Sequence, residues 1–115
     1  MRILLVESHE TFAHVVVSAF LKEHEVVIRS LVMDAQHEFD IGGFDVVMVD
    51  YDLADCKGSE LVKYIRKSGY EIPIIGISAK DEANELLLAA GASDVCNKMN
   101  FDRIGQVLAK LGLPS

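Results

Sequence analysis

Long apolar runs are missing from this 115-residue chain. No segment approaches the roughly 20 consecutive apolar residues of a membrane span. The opening run from Met1 to Val6 is also too short for the apolar core of a secretory leader. The expectation is a cytoplasmic protein with no membrane contact. Basic residues are scarce as well: 11 Lys and Arg stand against 18 Asp and Glu, a formal net charge of -7. Non-specific nucleic-acid binding needs clustered Lys and Arg to neutralise phosphates, so nucleic acid is not expected as a partner and proteins are. Cysteine is limited to Cys56 and Cys96, far apart and without a CxxC pair, which excludes a spacing-defined metal or redox motif and leaves two free thiols. His9, His14, His24 and His37 show no zinc-type spacing. Only two prolines are present and no segment is of low complexity, so a compact globule is expected rather than disorder.

What is present is apolar sequence in short pieces. Half the residues are hydrophobic, and the length suits one domain spanning 1–115. Ile3 to Val6, Val26 to Ile28, Val46 to Val49 and Ile72 to Ile77 read as strands, with Pro73 near the start of its run, where a strand tolerates it. Asp94 to Asn97 is a fifth, weaker run. Between them lie helical patterns. Phe12, Val15, Val16, Ala19 and Phe20 form one apolar stripe, and further helices are predicted at about 33–40, 58–68, 81–90 and 101–111. Ser8, Asp81 and Asn100 are candidate N-caps, and Gly42, Gly69, Gly91 and Gly112 candidate helix ends. Five strands alternating with five helices imply an α/β fold, a parallel sheet covered on both faces through right-handed crossovers.

Ligands of such a sheet sit at the carboxyl ends of its strands. Asp50, closing the buried run Phe44 to Asp50, is therefore a site candidate. Strand one ends in Glu7-Ser8, strand four in Ser78-Ala79, and strand five runs into Lys98. Two carboxylates, a hydroxyl and an ammonium at one edge suit phosphoryl transfer: a carboxylate attacks phosphorus, a divalent cation offsets charge on the phosphoryl oxygens, and Ser and Lys hold them. An acid ending the first buried strand needs a partner, and Lys98 is the expected one for Glu7.

Taken together, Arg2-Ile-Leu-Leu-Val-Glu7, Val49-Asp50-Tyr-Asp-Leu53 with Gly58, Ile74-Ile-Gly-Ile-Ser78-Ala79, and Gly91-Ala-Ser-Asp94 leading to Lys98 resemble a response regulator receiver domain, the phosphoacceptor module of two-component signalling. The resemblance covers essentially the whole chain. It implies a flavodoxin-like, doubly wound five-stranded sheet of order 2-1-3-4-5. It also implies Asp50 as phosphoacceptor, Ser78 and Lys98 as the phosphoryl-binding pair, and magnesium held by Glu7, Asp50 and the backbone carbonyl of Asp52. The implied partners are a histidine kinase or phosphotransfer protein and a downstream protein bound on a face built from the fourth helix, fifth strand and fifth helix. Catalysis would extend at most to the module's own phosphorylation and dephosphorylation. No attached DNA-binding segment is visible.

The chain also departs from the family. Ser8 stands where receivers carry a second acid that contacts magnesium. A neutral hydroxyl is a poor substitute toward a hard cation, and Glu10 lies one helical turn too far along to replace it. Val95 replaces the usual aromatic switch residue, Met99 the proline after the lysine, and Ala54 the proline after the phosphoacceptor strand. These changes support an alternative, a receiver-like interaction module independent of phosphorylation. A flavodoxin-like enzyme or electron carrier is a weaker reading still: a Gly-rich phosphate loop is missing after strand one, where Glu7-Ser8-His9-Glu10 would repel phosphate.

Overall fold

A computed structural model describes residues 1–115. Its elements are β1 (Arg2–Val6), α1 (Glu10–Phe20), β2 (Glu25–Arg29), α2 (Val32–Ile41), β3 (Val46–Val49), α3 (Gly58–Lys67), β4 (Ile74–Gly76), α4 (Asp81–Ala90), β5 (Asp94–Val95), a 3-10 helix (Lys98–Arg103) and α5 (Ile104–Lys110). The five strands are all parallel, in the order β2-β1-β3-β4-β5.

Strand alternation explains how one sheet serves two cores. Ile3 and Leu5 of β1, with Val46 and Met48 of β3, face α1 and α5, where they meet Val16, Ile104 and Leu108. Leu4, Val6, Val47 and Val49 point the other way, onto Ala35 and Phe39 of α2, Leu61 and Ile65 of α3 and Leu87 of α4. Because both faces are covered, the central strands are apolar throughout after Arg2, which opens β1 at its half-buried end. The register sets Val6 beside Val49, and Asp50 N–H still donates to Val6 O at 3.0 Å, so Glu7 and Asp50 leave the sheet as neighbours.

Local details differ from the sequence reading. Ser8 does not cap α1: the N-cap is His9, and no side chain caps it. Asp81 is the first residue of α4, whose N-cap is Lys80. Asn100 lies within the 3-10 segment in a non-helical conformation (φ -128°, ψ 37°), and the cap there is Asn97, whose side chain accepts from Met99 N–H at 2.9 Å. The predicted 101–111 helix is thereby split, and α5 proper starts only at Ile104. β4 begins after Pro73, whose missing N–H cannot join the ladder, although its carbonyl accepts from Val47 N–H. Gly42 and Gly91 end α2 and α4 as expected, and Gly69 and Gly112 lie two residues past the ends of α3 and α5, each just after the C-cap.

Candidate functional site

The strand ends converge as the topology requires. Lys98 Nζ lies 2.7 Å from Glu7 Oε2 and 2.9 Å from Asp50 Oδ2. All three side chains are withdrawn from solvent, Lys98 keeping 12% exposure, Asp50 8% and Glu7 none. Buried charges survive only when paired, and here one ammonium serves two carboxylates. Burial pulls the Lys98 ammonium toward losing its proton, but the contacts to Glu7 and Asp50 outweigh it and leave its pKa above the usual lysine value. The ammonium also stands 5.0 Å from the centre of the Phe12 ring.

Each acid is tied to the backbone as well. Asp50 Oδ1 accepts from Tyr51 N–H at 2.8 Å, and Glu7 Oε1 accepts from His9 N–H at 3.0 Å. Glu7 Oε2 has the Lys98 ammonium beside it but no hydrogen bond of good geometry. Ser78, 4% exposed, accepts from Lys80 N–H through its hydroxyl at 3.1 Å, and its carbonyl accepts from Lys98 N–H at 3.3 Å.

Asp50, Ser78 and Lys98 line one cleft of about 330 Å³ together with Ser8, His9, Asp52, Ala79 and Lys80. Of the residues expected from sequence, Glu7 alone is absent from the cleft wall: it lies beneath, shielded by Lys98. Asp52 is half exposed and its carboxylate is turned onto Lys57 at 2.6 Å, whose hydrogen bond holds it below the usual aspartate range. Glu10 is exposed in the first turn of α1. Val95 is half-buried in β5, and Met99 is 80% exposed in the first turn of the 3-10 helix, with no cis peptide in the chain. Cys56 lies apart, in a second cleft with Asp55, Lys57 and Glu60, and burial followed by the charges of Asp55 and Glu60 pushes its thiol up. Cys96 is core, its thiol raised to about 11.

Two contributors were not visible in the sequence. Lys80 brings a second ammonium to the cleft wall, its only signal being its place two residues after Ser78. Asn84, 3% exposed on α4, grips the backbone of Ser78. The signal for it was a polar residue in phase with Ala83 and Leu87 on the buried side of the helix.

Oxygen donors of the hard kind that magnesium takes are present: the Asp50 carboxylate on the cleft wall and the Glu7 carboxylate behind Lys98. No three His, Cys, Asp or Glu side chains converge into a metal cluster. Glu7 Oε2 is a buried carboxylate oxygen with hydrogen-bonding capacity to spare.

A parallel 2-1-3-4-5 sheet thus carries this ion-paired cluster at its carboxyl edge. The family model for the response regulator receiver domain matches residues 3–109, and the chain belongs to that family. The swarming motility regulation protein RssB of Serratia marcescens is 36% identical over 70 residues, covering 59% of this chain and 32% of that protein. Protein RcaC of Microchaete diplosiphon is 30% identical over 116 residues, covering 96% of this chain and 17% of that one. The chain thus spans a third or less of these relatives. The crystal structure of response regulator protein TrrA from Thermotoga maritima, in complex with Mg(2+)-BeF, superposes with a TM-score of 0.86 at 25% identity, over 96% of this chain and 97% of that one. Vibrio cholerae chemotaxis protein CheY4 shares the fold, with a TM-score of 0.79 at 23% identity over 95% and 96% of the two chains. No helix is long and apolar enough to cross a membrane.

Proposed function

We propose that this receiver domain accepts a phosphoryl group on Asp50 from a phosphohistidine of a histidine kinase or phosphotransfer protein. The observation that carries the reading is the buried triangle of Glu7, Lys98 and Asp50 at the edge of a cleft that also holds Ser78. An Asp50 carboxylate oxygen forms the new P–O bond as the donor's P–N bond breaks, and the electron pair leaves with the imidazole, which takes up a proton. The new phosphoryl oxygens draw Lys98 from its contact with Asp50, while the Ser78 hydroxyl donates to another of them.

Magnesium would be held by Asp50, Glu7 and the Asp52 carbonyl, and would supply positive charge against the phosphoryl oxygens. Ser8 contributes at most a neutral hydroxyl, so affinity is expected to be lower than with two free acids. Output passes to a downstream protein by population shift: the partner binds better to the arrangement of the Ser78 and Lys98 loops that the phosphoryl group favours. The module works in the cytoplasm, and its chemistry is confined to its own phosphorylation and dephosphorylation.

One observation favours a second reading, a phosphorylation-independent interaction module. Lys98 and His9 N–H already occupy Glu7, Ser8 brings no carboxylate to the cleft wall, and that of Asp52 is taken by Lys57. The two readings separate on incubation with magnesium and a small-molecule phosphodonor, followed by intact-mass measurement. A base-labile, acid-stable adduct that disappears in Asp50→Asn is expected. No adduct at any magnesium concentration would favour the second reading.

A further inference from the structure

Helix α4 turns Ala83, Asn84 and Leu87 toward the core. An amide in that position costs free energy unless it is hydrogen-bonded, and an apolar residue of similar volume would avoid the cost. Asn84 is satisfied by a single residue. Its Oδ1 accepts from Ser78 N–H at 2.9 Å, and its Nδ2 donates to Ser78 C=O at 2.9 Å. The same carbonyl accepts from Lys98 N–H at 3.3 Å. The backbone of Ser78 is thus held from α4 on one side and from the Lys98 loop on the other.

A serine hydroxyl sits one methylene from its backbone, so where the backbone is held limits the hydroxyl to the few positions its rotamers reach. Ser78 Oγ accepts from Lys80 N–H, which leaves its own proton free to donate into the cleft that Asp50 and Lys98 share. We propose that Asn84 is a positioning residue: its paired hydrogen bonds to Ser78 hold the serine hydroxyl where it donates to a phosphoryl group on Asp50. This inference rests on the reading of Asp50 as phosphoacceptor.

The test is a double-mutant cycle on beryllium fluoride affinity in the presence of magnesium, followed through the Tyr51 amide, which is bonded to Asp50. Asn84→Leu is expected to weaken binding about three- to ten-fold, the equivalent of one lost or misaimed hydrogen bond. In a Ser78→Ala background, which is itself weakened, Asn84→Leu is expected to change nothing further. Asn84→Asp keeps the acceptor for Ser78 N–H but loses the donor, and should fall between wild type and Asn84→Leu. It carries the same cycle if the leucine variant does not fold, and urea unfolding of every variant establishes which do. Unchanged affinity in Asn84→Leu, or an equal loss in both backgrounds, overturns the proposal while leaving Asp50 in its role. Failure of the wild type to bind beryllium fluoride overturns the reading of Asp50 and this inference with it.

Discussion

Gly58 opens helix α3 directly against the backbone carbonyl of Asp50. A Cβ at that position would lie inside the contact distance of the carbonyl oxygen and crowd Val49 as well. Gly58 N–H donates to Tyr51 O at 2.6 Å, so the loop from Asp50 to Gly58 closes on itself where the site is built. Gly58→Ala must push α3 or the end of β3 outward. It is expected to lower stability by about 1–3 kcal/mol, as overpacking does, and to impair adduct formation on Asp50 beyond what reduced folding explains. Urea unfolding together with intact-mass phosphorylation measures both effects. An alanine variant of wild-type stability would contradict the close approach.

Lys98 compensates two buried carboxylates at once. Lys98→Met leaves both without a cation, and the loss of one partner from a buried ion pair costs about 3–5 kcal/mol. Its elevated pKa also gives a sign. A lysine whose proton is held more tightly in the folded protein contributes stability that is complete below the ordinary value of 10.5 and lost as pH rises through the higher folded value. Wild-type stability should therefore fall faster above about pH 10.5 than that of Lys98→Met. Chemical unfolding across that range checks the difference in slope.

Asp55 caps a helix to which it does not belong. Its carboxylate accepts from Val32 N–H at 2.9 Å and from Met33 N–H at 3.0 Å, the first donors of α2, whose own N-cap Leu31 offers none. Partial burial opposes the charge, but the backbone N–H groups of Met33, Val32, Asp55 and Cys56 prevail and hold the carboxyl below the usual aspartate range. Asp55→Ala should cost about 1 kcal/mol, in line with other lost N-caps. A depressed folded pKa means the stabilisation is present above the unfolded value of 3.8 and lost as pH falls through the folded one. The stability difference between wild type and Asp55→Asn should accordingly shrink below about pH 3.8, which a pH series of unfolding midpoints would show.

In the proposed magnesium site, Ser8 is a cleft-wall residue that brings no charge. Ser8→Asp adds a charged oxygen to the cleft wall next to Asp50, and a gain in affinity of roughly ten-fold is expected, since ligand charge count sets the affinity of hard cations. Magnesium titration followed through the Tyr51 amide measures it. Unchanged affinity would place the cation away from Ser8.

Sequence periodicity decided the fold class, and the family resemblance implied the strand order. Uninterrupted apolar runs such as Val46 to Val49 require cover on both faces, and strands alternating with amphipathic helices leave few topologies besides a doubly wound parallel sheet. From that order follows the convergence of Glu7, Asp50, Ser78 and Lys98, because the carboxyl ends of parallel strands share one edge. Tertiary structure decided what these groups do to one another. Glu7 passed beneath Lys98 instead of lining the cleft. Asp55 capped a helix beginning 23 residues earlier, Asn84 found both its partners on Ser78, and the expected caps at Ser8, Asp81 and Asn100 moved to neighbouring residues or were not made. The physical reason is range. Hydrophobic periodicity is written in local spacing and repeated along an element, so it can be read in one dimension, whereas a hydrogen bond depends on tenths of an ångström between groups that the chain brings together only when folded.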